Sequence, residues 1–287
     1  MKDESVGLCT AQIAALPGEG EHNISKMCEF MKYGKALGAN VICFHELAIC
    51  DFANIEEWSE AIPGSTTNKI REKARQIGIG VIFGLPEIDN DKLFNSAVIV
   101  DQQGKLVGKY RKTHLSLDSR GGTIPREVDI FSPGKELPIF DTWLGRIGIM
   151  ICKDGLFPEV PRTLSLKGAE IIFWLNNRGK LNQAHLESIA NLNRVILCAS
   201  NRAKIEKVEG GGSAIVQFED SYTSASDSFS HHGSFISRAG TSETLLFGTV
   251  NLAVIRRRRK AWLDNWLNRQ PEIYEALVSQ RKNTSAK

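Results

Sequence analysis

The 287 residues carry a formal net charge of +3, with 42% hydrophobic and 24% charged side chains, the balance of an ordinary globular chain. No run approaches the roughly 18 consecutive apolar residues of a membrane span, and so small a charge gives no global field for nucleic acid or an anionic bilayer. The six cysteines, at 9, 28, 43, 50, 152 and 198, form no Cys-x-x-Cys pair and the six histidines no His-Glu-x-x-His pattern, so no metal or other cofactor is expected.

The chain passes almost at once into strand-like sequence at 6–14, without the apolar core of a signal peptide, which predicts residence in the cytoplasm. Residues 23–37 predict a helix capped by Asn23, with Ile24, Met27, Cys28 and Met31 on one face and Gly38 at its end. A strand at 41–44 follows, then a helix at 66–76 behind Ser65 as cap, then strands at 79–85, 94–100 and 106–110 between polar or Gly-bearing turns. After the apolar run 146–151 the order is helix 159–166, strand 171–175, helix 183–192 and strand 195–199. Such alternation lays helices over sheet faces and predicts a layered α/β architecture.

The last third differs: 214–218, 233–237 and 244–255 read as strands without intervening helices, around a Ser- and Asp-rich loop at 219–232. The His231-His232 pair in that loop reads as solvent-facing. The basic block Arg256 to Lys260 reads as a solvated strand end or a subunit contact, because an isolated basic run lacks the further motif that nucleic-acid recognition requires. No linker or internal repeat divides the chain, which predicts one domain over 1–270 and a charged tail over 271–287.

Three polar residues stand directly after apolar strands: Glu46 after 41–45, Lys112 after 106–111 and Cys152 after 146–151. A free thiol has an ordinary pKa of about 8.5 and becomes a useful nucleophile only when a base or a positive charge acts on it. If the three strands share an edge, Glu46 is the candidate base, and Lys112 balances the two anions and can donate to an oxyanion. Taken singly, the thiol reads first as an inert core residue and the Glu and Lys as solvated strand-end charges.

His45-Glu46-Leu47, the block from Gly108 to Leu115 and the block from Cys152 to Glu159 occur in the order of the three signature blocks of the nitrilase superfamily, which this chain resembles from Val6 to about Arg259. Phe131-Ser-Pro-Gly134 fits the same pattern. The resemblance implies a four-layer α-β-β-α sandwich, a homodimer or an assembly of dimers, Glu46 as general base, Lys112 as stabiliser of the tetrahedral intermediate and Cys152 as nucleophile. It also implies Glu127 as a second glutamate that positions the lysine, and the backbone N–H of Lys153 as an oxyanion donor. Read from the residues alone, Glu127 would be a surface charge in a polar loop.

Lys153-Asp154 follow the nucleophile where typical nitrilases have Trp-Glu, which favours amide or ureido substrates over nitriles. The expected reaction is hydrolysis of a small amide or N-carbamoyl compound through a cysteine thioester. Nitrile hydrolysis is the runner-up, and an ammonia-supplying or non-catalytic module working with a partner protein is the alternative from another class. Asn177 and Arg178 end the strand expected beside that of Cys152, where the family lines its substrate pocket, and a guanidinium there can grip a carboxylate. Arg178 reads equally as an Arg on a solvated loop. Arg120 and Arg126 flank Gly121-Gly122 ahead of Glu127 and suggest a basic lid.

Overall fold

The central strands are nearly continuous apolar runs, so that both faces of each sheet have something to bury. The computed structural model describes residues 4–118, 126–206, 208–218, 233–261 and 267–279. In chain order the first half comprises β1 (Ser5–Gln12), α1 (Gly20–Ala36), β2 (Val41–Cys43), the single turn α2 (Ile55–Trp58), α3 (Ser65–Ile77), β3 (Gly80–Asp89), β4 (Lys92–Val100) and β5 (Leu106–Arg111). The single turn α4 (Glu127–Ile130), β6 (Ile139–Thr142), β7 (Gly145–Ile151), a 3-10 turn (Cys152–Leu156), α5 (Glu159–Leu166), β8 (Ile171–Leu175), α6 (Gln183–Asn193) and β9 (Ile196–Ser200) follow. β10 (Ala214–Phe218), β11 (Gly233–Arg238), β12 (Thr244–Asn251) and α7 (Leu252–Ala261) complete the body.

The strands form two six-stranded sheets, ordered β12-β1-β2-β3-β4-β5 and β11-β10-β9-β8-β7-β6. In the first, β1, β2 and β3 run parallel, and in the second β7, β8 and β9 do, with Ile151 opposite Leu175 and Leu175 opposite Ser200 at the ends of the ladders. The remaining pairings are antiparallel. Each sheet thus has one antiparallel strand on one side of its parallel core and two on the other, an architectural repeat with no counterpart in the residues themselves.

Three apolar layers bind the sandwich. Leu8, Val41, Ile82 and Ile99 of the first sheet meet Ile147, Ile149, Ile171, Phe173 and Ile196 of the second between the sheets. On the outside of the first sheet Ile42, Phe44, Val81 and Phe83 pack with Met27 and Met31 of α1 and Ile70 and Ala74 of α3. On the outside of the second, Met150, Ile172, Trp174 and Leu197 pack with Val160 and Leu164 of α5 and Leu186 and Ile189 of α6. The result is the expected α-β-β-α sandwich. Fully burying one such aliphatic or aromatic side chain is worth about 1.5–3 kcal/mol, so the layers repeat a large term many times.

Three local expectations are corrected. Asn23 does not cap α1, which starts at Gly20; it is fully buried, donates to the carbonyls of Leu16 (2.8 Å) and Ile49 (2.9 Å) and accepts from the Leu16 N–H (2.8 Å). Ser65 is the first residue of α3, and the cap comes from outside the helix: the Glu60 carboxylate accepts from the N–H groups of Thr66 (2.6 Å) and Thr67 (2.7 Å). The run 244–255 is not one strand; β12 ends at Asn251, whose side chain accepts from the Val254 N–H (3.2 Å), and α7 begins at once. Leu252 and Ile255 are both buried at helical spacing, so their apolarity fits either period and the local cap selects the helix.

The basic block therefore lies on a helix docked against the chain. Arg256 pairs with Glu4 and Glu170, and Arg259 donates to the carbonyls of Ala169 and Ser165. The loop 219–232 with His231-His232, Arg120 with Gly121-Gly122, and the end of the tail from 280 lie outside the described residues. Among the described residues no helix is long and apolar enough to cross a membrane.

Candidate active site

Glu46, Lys112 and Cys152 leave their strands in one place, where the ends of the two sheets face each other. The chain turns sharply after Glu46, with Leu47 in the left-handed conformation (φ 49°), and the Glu46 N–H donates across to the carbonyl of Asn176 in the other sheet (3.3 Å). β3 must pass close beneath this turn. A Cβ on Gly84 would lie 2.5 Å from the Leu47 nitrogen and 3.0 Å from the Glu46 Cα, so only glycine fits there.

Lys112 is buried between two carboxylates: its Nζ donates to Glu46 Oε1 (2.6 Å) and to Glu127 Oε1 (2.7 Å). Asn95 Nδ2 donates to Glu46 Oε1 (2.8 Å) and Glu127 Oε1 (3.4 Å), and the Ser116 N–H donates to Glu127 Oε2 (2.7 Å). Glu127 opens α4 and is buried, so it is not the loop surface charge that its residue context suggests. Burial alone would depress the Lys112 ammonium, but the neighbouring Glu46, Cys152 and Glu127 outweigh it and hold Lys112 above the ordinary lysine range. Burial and the Glu46 charge push Glu127 up, against the opposing pull of Lys112 and the Ser116 N–H.

Cys152 sits at the tip of β7 in the left-handed conformation (φ 43°), which a non-glycine residue holds only when its surroundings impose it. The turn is anchored at each carbonyl that matters: Trp174 Nε1 donates to the Cys152 carbonyl (3.0 Å), and His185 Nε2 lies 2.9 Å from that of Gly155. Gly155 is required because a Cβ there would enter the Trp174 ring at 2.4 Å. The influence of Cys152 on Lys112 brings the thiol into the field of the ammonium. By contrast burial pushes the thiols of Cys9 and Cys50 up to about 12 and also lifts those of Cys43 and Cys198, so these four stay protonated core residues.

The expected binding residues divide. Lys153 lies half-buried in the turn directly after Cys152, with no side-chain hydrogen bond or ion pair among the described residues. Arg178 follows β8, its N–H donating to Asn201 Oδ1 (3.1 Å) and its carbonyl accepting from Asn201 Nδ2 (3.2 Å); its guanidinium has no partner among the described residues. Asn177 does not fit the role expected of it. It is wholly buried, and its amide donates to Asp51 Oδ1 (2.5 Å) and the Glu46 carbonyl (3.4 Å) and accepts from Arg202 Nη1 (3.2 Å), so it braces the Glu46 turn. Arg126 is exposed, and its guanidinium donates to Asp129 at 2.8 and 2.7 Å.

Sequence reasoning missed Asn95, Asp154 and the Asp51–Arg202 pair. Asn95 was visible as the one amide inside the apolar run 94–100. Asp51 and Arg202 are 151 positions apart, and no local pattern joins them.

A buried thiol, an ammonium and paired carboxylates where two sheets meet are the equipment of an amidohydrolase. The chain belongs to the carbon-nitrogen hydrolase family, whose model matches residues 5–260, and so to the nitrilase superfamily. It is 28% identical to the omega-amidase NIT2 of Xenopus tropicalis over 291 aligned positions, covering 96% of this chain and 98% of the relative. It is 37% identical to a nitrilase of Pyrococcus abyssi over 161 positions, covering 54% of this chain and 58% of the relative. The fold matches a mutant amidase of the nitrilase superfamily from Nesterenkonia AN1 with a TM-score of 0.71 at 19% identity, covering 93% of this chain and 98% of that one. The protein is a carbon–nitrogen hydrolase.

Proposed function

We propose that Cys152 is the nucleophile, Glu46 the proton carrier and Lys112 the oxyanion stabiliser in hydrolysis of a small amide or N-carbamoyl compound. Glu46 takes the thiol proton as sulfur attacks the carbonyl carbon, and Lys112 with the Lys153 N–H stabilises the oxygen of the tetrahedral adduct. The adduct collapses with cleavage of the C–N bond, Glu46 protonates the departing nitrogen, and ammonia or an amine leaves a thioester on Cys152. Water, deprotonated by Glu46, attacks the thioester, and the acid departs as the proton returns to sulfur. Glu127 fixes the lysine. The observation that carries this reading is the buried Lys112 ammonium, held by two carboxylates and within the field of the thiol.

An anionic substrate group at Arg178 completes the proposal, supported by a guanidinium that has no partner among the described residues and lies beyond the strand next to that of Cys152. The omega-amidase likeness, which spans nearly the whole chain, supports ω-amides of dicarboxylic acids as the first class to test. Residues 1–270 are taken as one catalytic domain and 271–287 as a charged tail. A homodimer or an assembly of dimers in the cytoplasm is expected from the family, and sedimentation velocity measures the oligomer. The decisive experiment measures ammonia release from succinamate, neutral amides, N-carbamoyl amino acids and nitriles, with Cys152→Ala as control. Turnover of the nitriles alone would replace the amide reading.

A further inference from the structure

Asp154 stands two residues past Cys152 and is wholly buried, yet the mechanism above gives it no part. Its Oδ2 accepts from the Ile151 N–H (2.9 Å) and the Tyr110 hydroxyl (2.7 Å). Its Oδ1 accepts from the Thr113 hydroxyl (3.0 Å) and the His114 N–H (3.0 Å) and lies 2.9 Å from His114 Nδ1. Ile151 and Asp154 bracket Cys152 in the chain, while Tyr110 and Thr113 bracket Lys112.

One carboxylate therefore clasps the turn that carries the thiol and the strand end that carries the ammonium. These belong to different sheets, β7 in one and β5 on the edge of the other. Two further anchors of the turn, Trp174 on the Cys152 carbonyl and His185 at the Gly155 carbonyl, tie it to β8 and α6, on its own side of the sandwich. Hydrogen bonds to an ionised acceptor are shorter and about twice as strong as neutral ones. A carboxylate clasp is thus suited to impose the left-handed backbone of Cys152 (φ 43°) and to fix the distance between sulfur and Nζ.

We propose that Asp154 is the positioning residue that registers Cys152 against Lys112 across the two sheets. The proposal rests on the reading of those two residues as the reacting pair. Its signature is kinetic: the ground-state pocket survives, while the approach of sulfur to a carbonyl carbon under the ammonium is lost.

Asp154→Asn keeps the volume and one acceptor but turns an NH2 group toward donors. A misplacement of about 1 Å at a reacting centre can cost roughly 10²-fold, so kcat for succinamate, or for whichever amide the screen identifies, should fall about 10²-fold with KM nearly unchanged. Alkylation of Cys152 by iodoacetamide, followed by peptide mass, should slow in parallel. Tyr110→Phe and Thr113→Val each remove one donor and leave the carboxylate, and should show smaller losses of the same kind; they carry the test if Asp154→Asn does not fold. A purely structural Asp154 would lower the melting temperature while active enzyme, counted by titrated thiol, kept wild-type kcat and alkylation rate; that result, in Asp154→Asn or in both donor variants, overturns the proposal. Turnover by Cys152→Ala would instead overturn the nucleophile assignment, so the two failures are distinguishable.

Discussion

The strand β5 and the residue that follows it carry two charge clusters on opposite faces, made of the same kinds of group, one balanced in charge and one not. On one face Lys109 and Arg111 both reach Glu87, which is fully buried and also accepts from the Ser96 hydroxyl (2.6 Å), while Asp89 takes Arg111 Nη2 at 2.6 Å. On the other, Lys112 serves Glu46 and Glu127 and feels the thiol of Cys152. Around Glu87 the cations win: burial alone would raise it, but Arg111, Lys109 and Ser96 hold it below the usual carboxylate range. Both cations are partly exposed and keep contact with water, so the charge is neutralised and nothing is left to transfer. Around Lys112 two carboxylates share one cation and all three groups are buried, so burial and the Glu46 charge push Glu127 up. Two buried carboxylates on one buried cation make a proton-handling site, whereas two carboxylates matched by two partly exposed cations make a clasp.

The sharpest way to break this comparison is to remove the thiol. Cys152→Ala should remain folded with no turnover, and intact-mass analysis with a slow amide should show an acyl adduct on wild type only. An adduct on Cys9, Cys43 or Cys198 would detach the inner cluster from the chemistry.

Next come the two charged partners. Glu46→Gln should cost about 10²–10⁴-fold in kcat, and Lys112→Ala about 10²–10³-fold. If they form one unit with the thiol, the double variant should be little worse than the poorer single one. Losses that multiply would mean that the cluster is only a neighbourhood.

Arg178→Ala lies outside both clusters and tests whether an anion is read at the rim. Loss of one charge-assisted pair, about 1.5–3 kcal/mol, corresponds to roughly a 10- to 150-fold loss of kcat/KM for succinamate, with little change for a neutral amide of equal length. Equal loss for both substrates would return Arg178 to the fold.

The smallest effect is expected on the outer face. Glu87→Gln should leave kcat nearly unchanged and cost about 1–3 kcal/mol of stability at neutral pH, an estimate kept low because both cations can turn to solvent. Because the folded pKa of Glu87 lies below its unfolded value, its contribution is complete above the ordinary carboxylate pKa of about 4.3 and disappears as pH falls through the folded value. Urea melts of both proteins should therefore converge in acid, and a penalty independent of pH would assign the loss to packing.

The positions of Glu46, Lys112 and Cys152 after apolar runs marked them as candidates, and their order within three blocks that resemble those of the nitrilase superfamily gave them their expected roles. Local sequence also carried α5, β8 and β10 to the residue, since their apolar faces and bounding turns agree. It failed where a partner lies far along the chain. Asn23 resembles a cap but is needed by carbonyls at 16 and 49, Glu60 caps a helix to which it does not belong, and Asn177 is claimed by Asp51 before any substrate could use it.

The sequence by itself determined which apolar runs would form the core and which chemistry the strand ends could offer, because periodicity and residue type are local properties. Only the tertiary structure decided that the second glutamate is buried against Lys112, that the block at 256–260 folds as a helix docked on the chain, and that the Asp154 carboxylate joins the thiol's turn to the lysine's strand end. Those outcomes depend on which sheet edges face each other. That is fixed by burying three apolar layers at once, a condition no single segment of the chain contains.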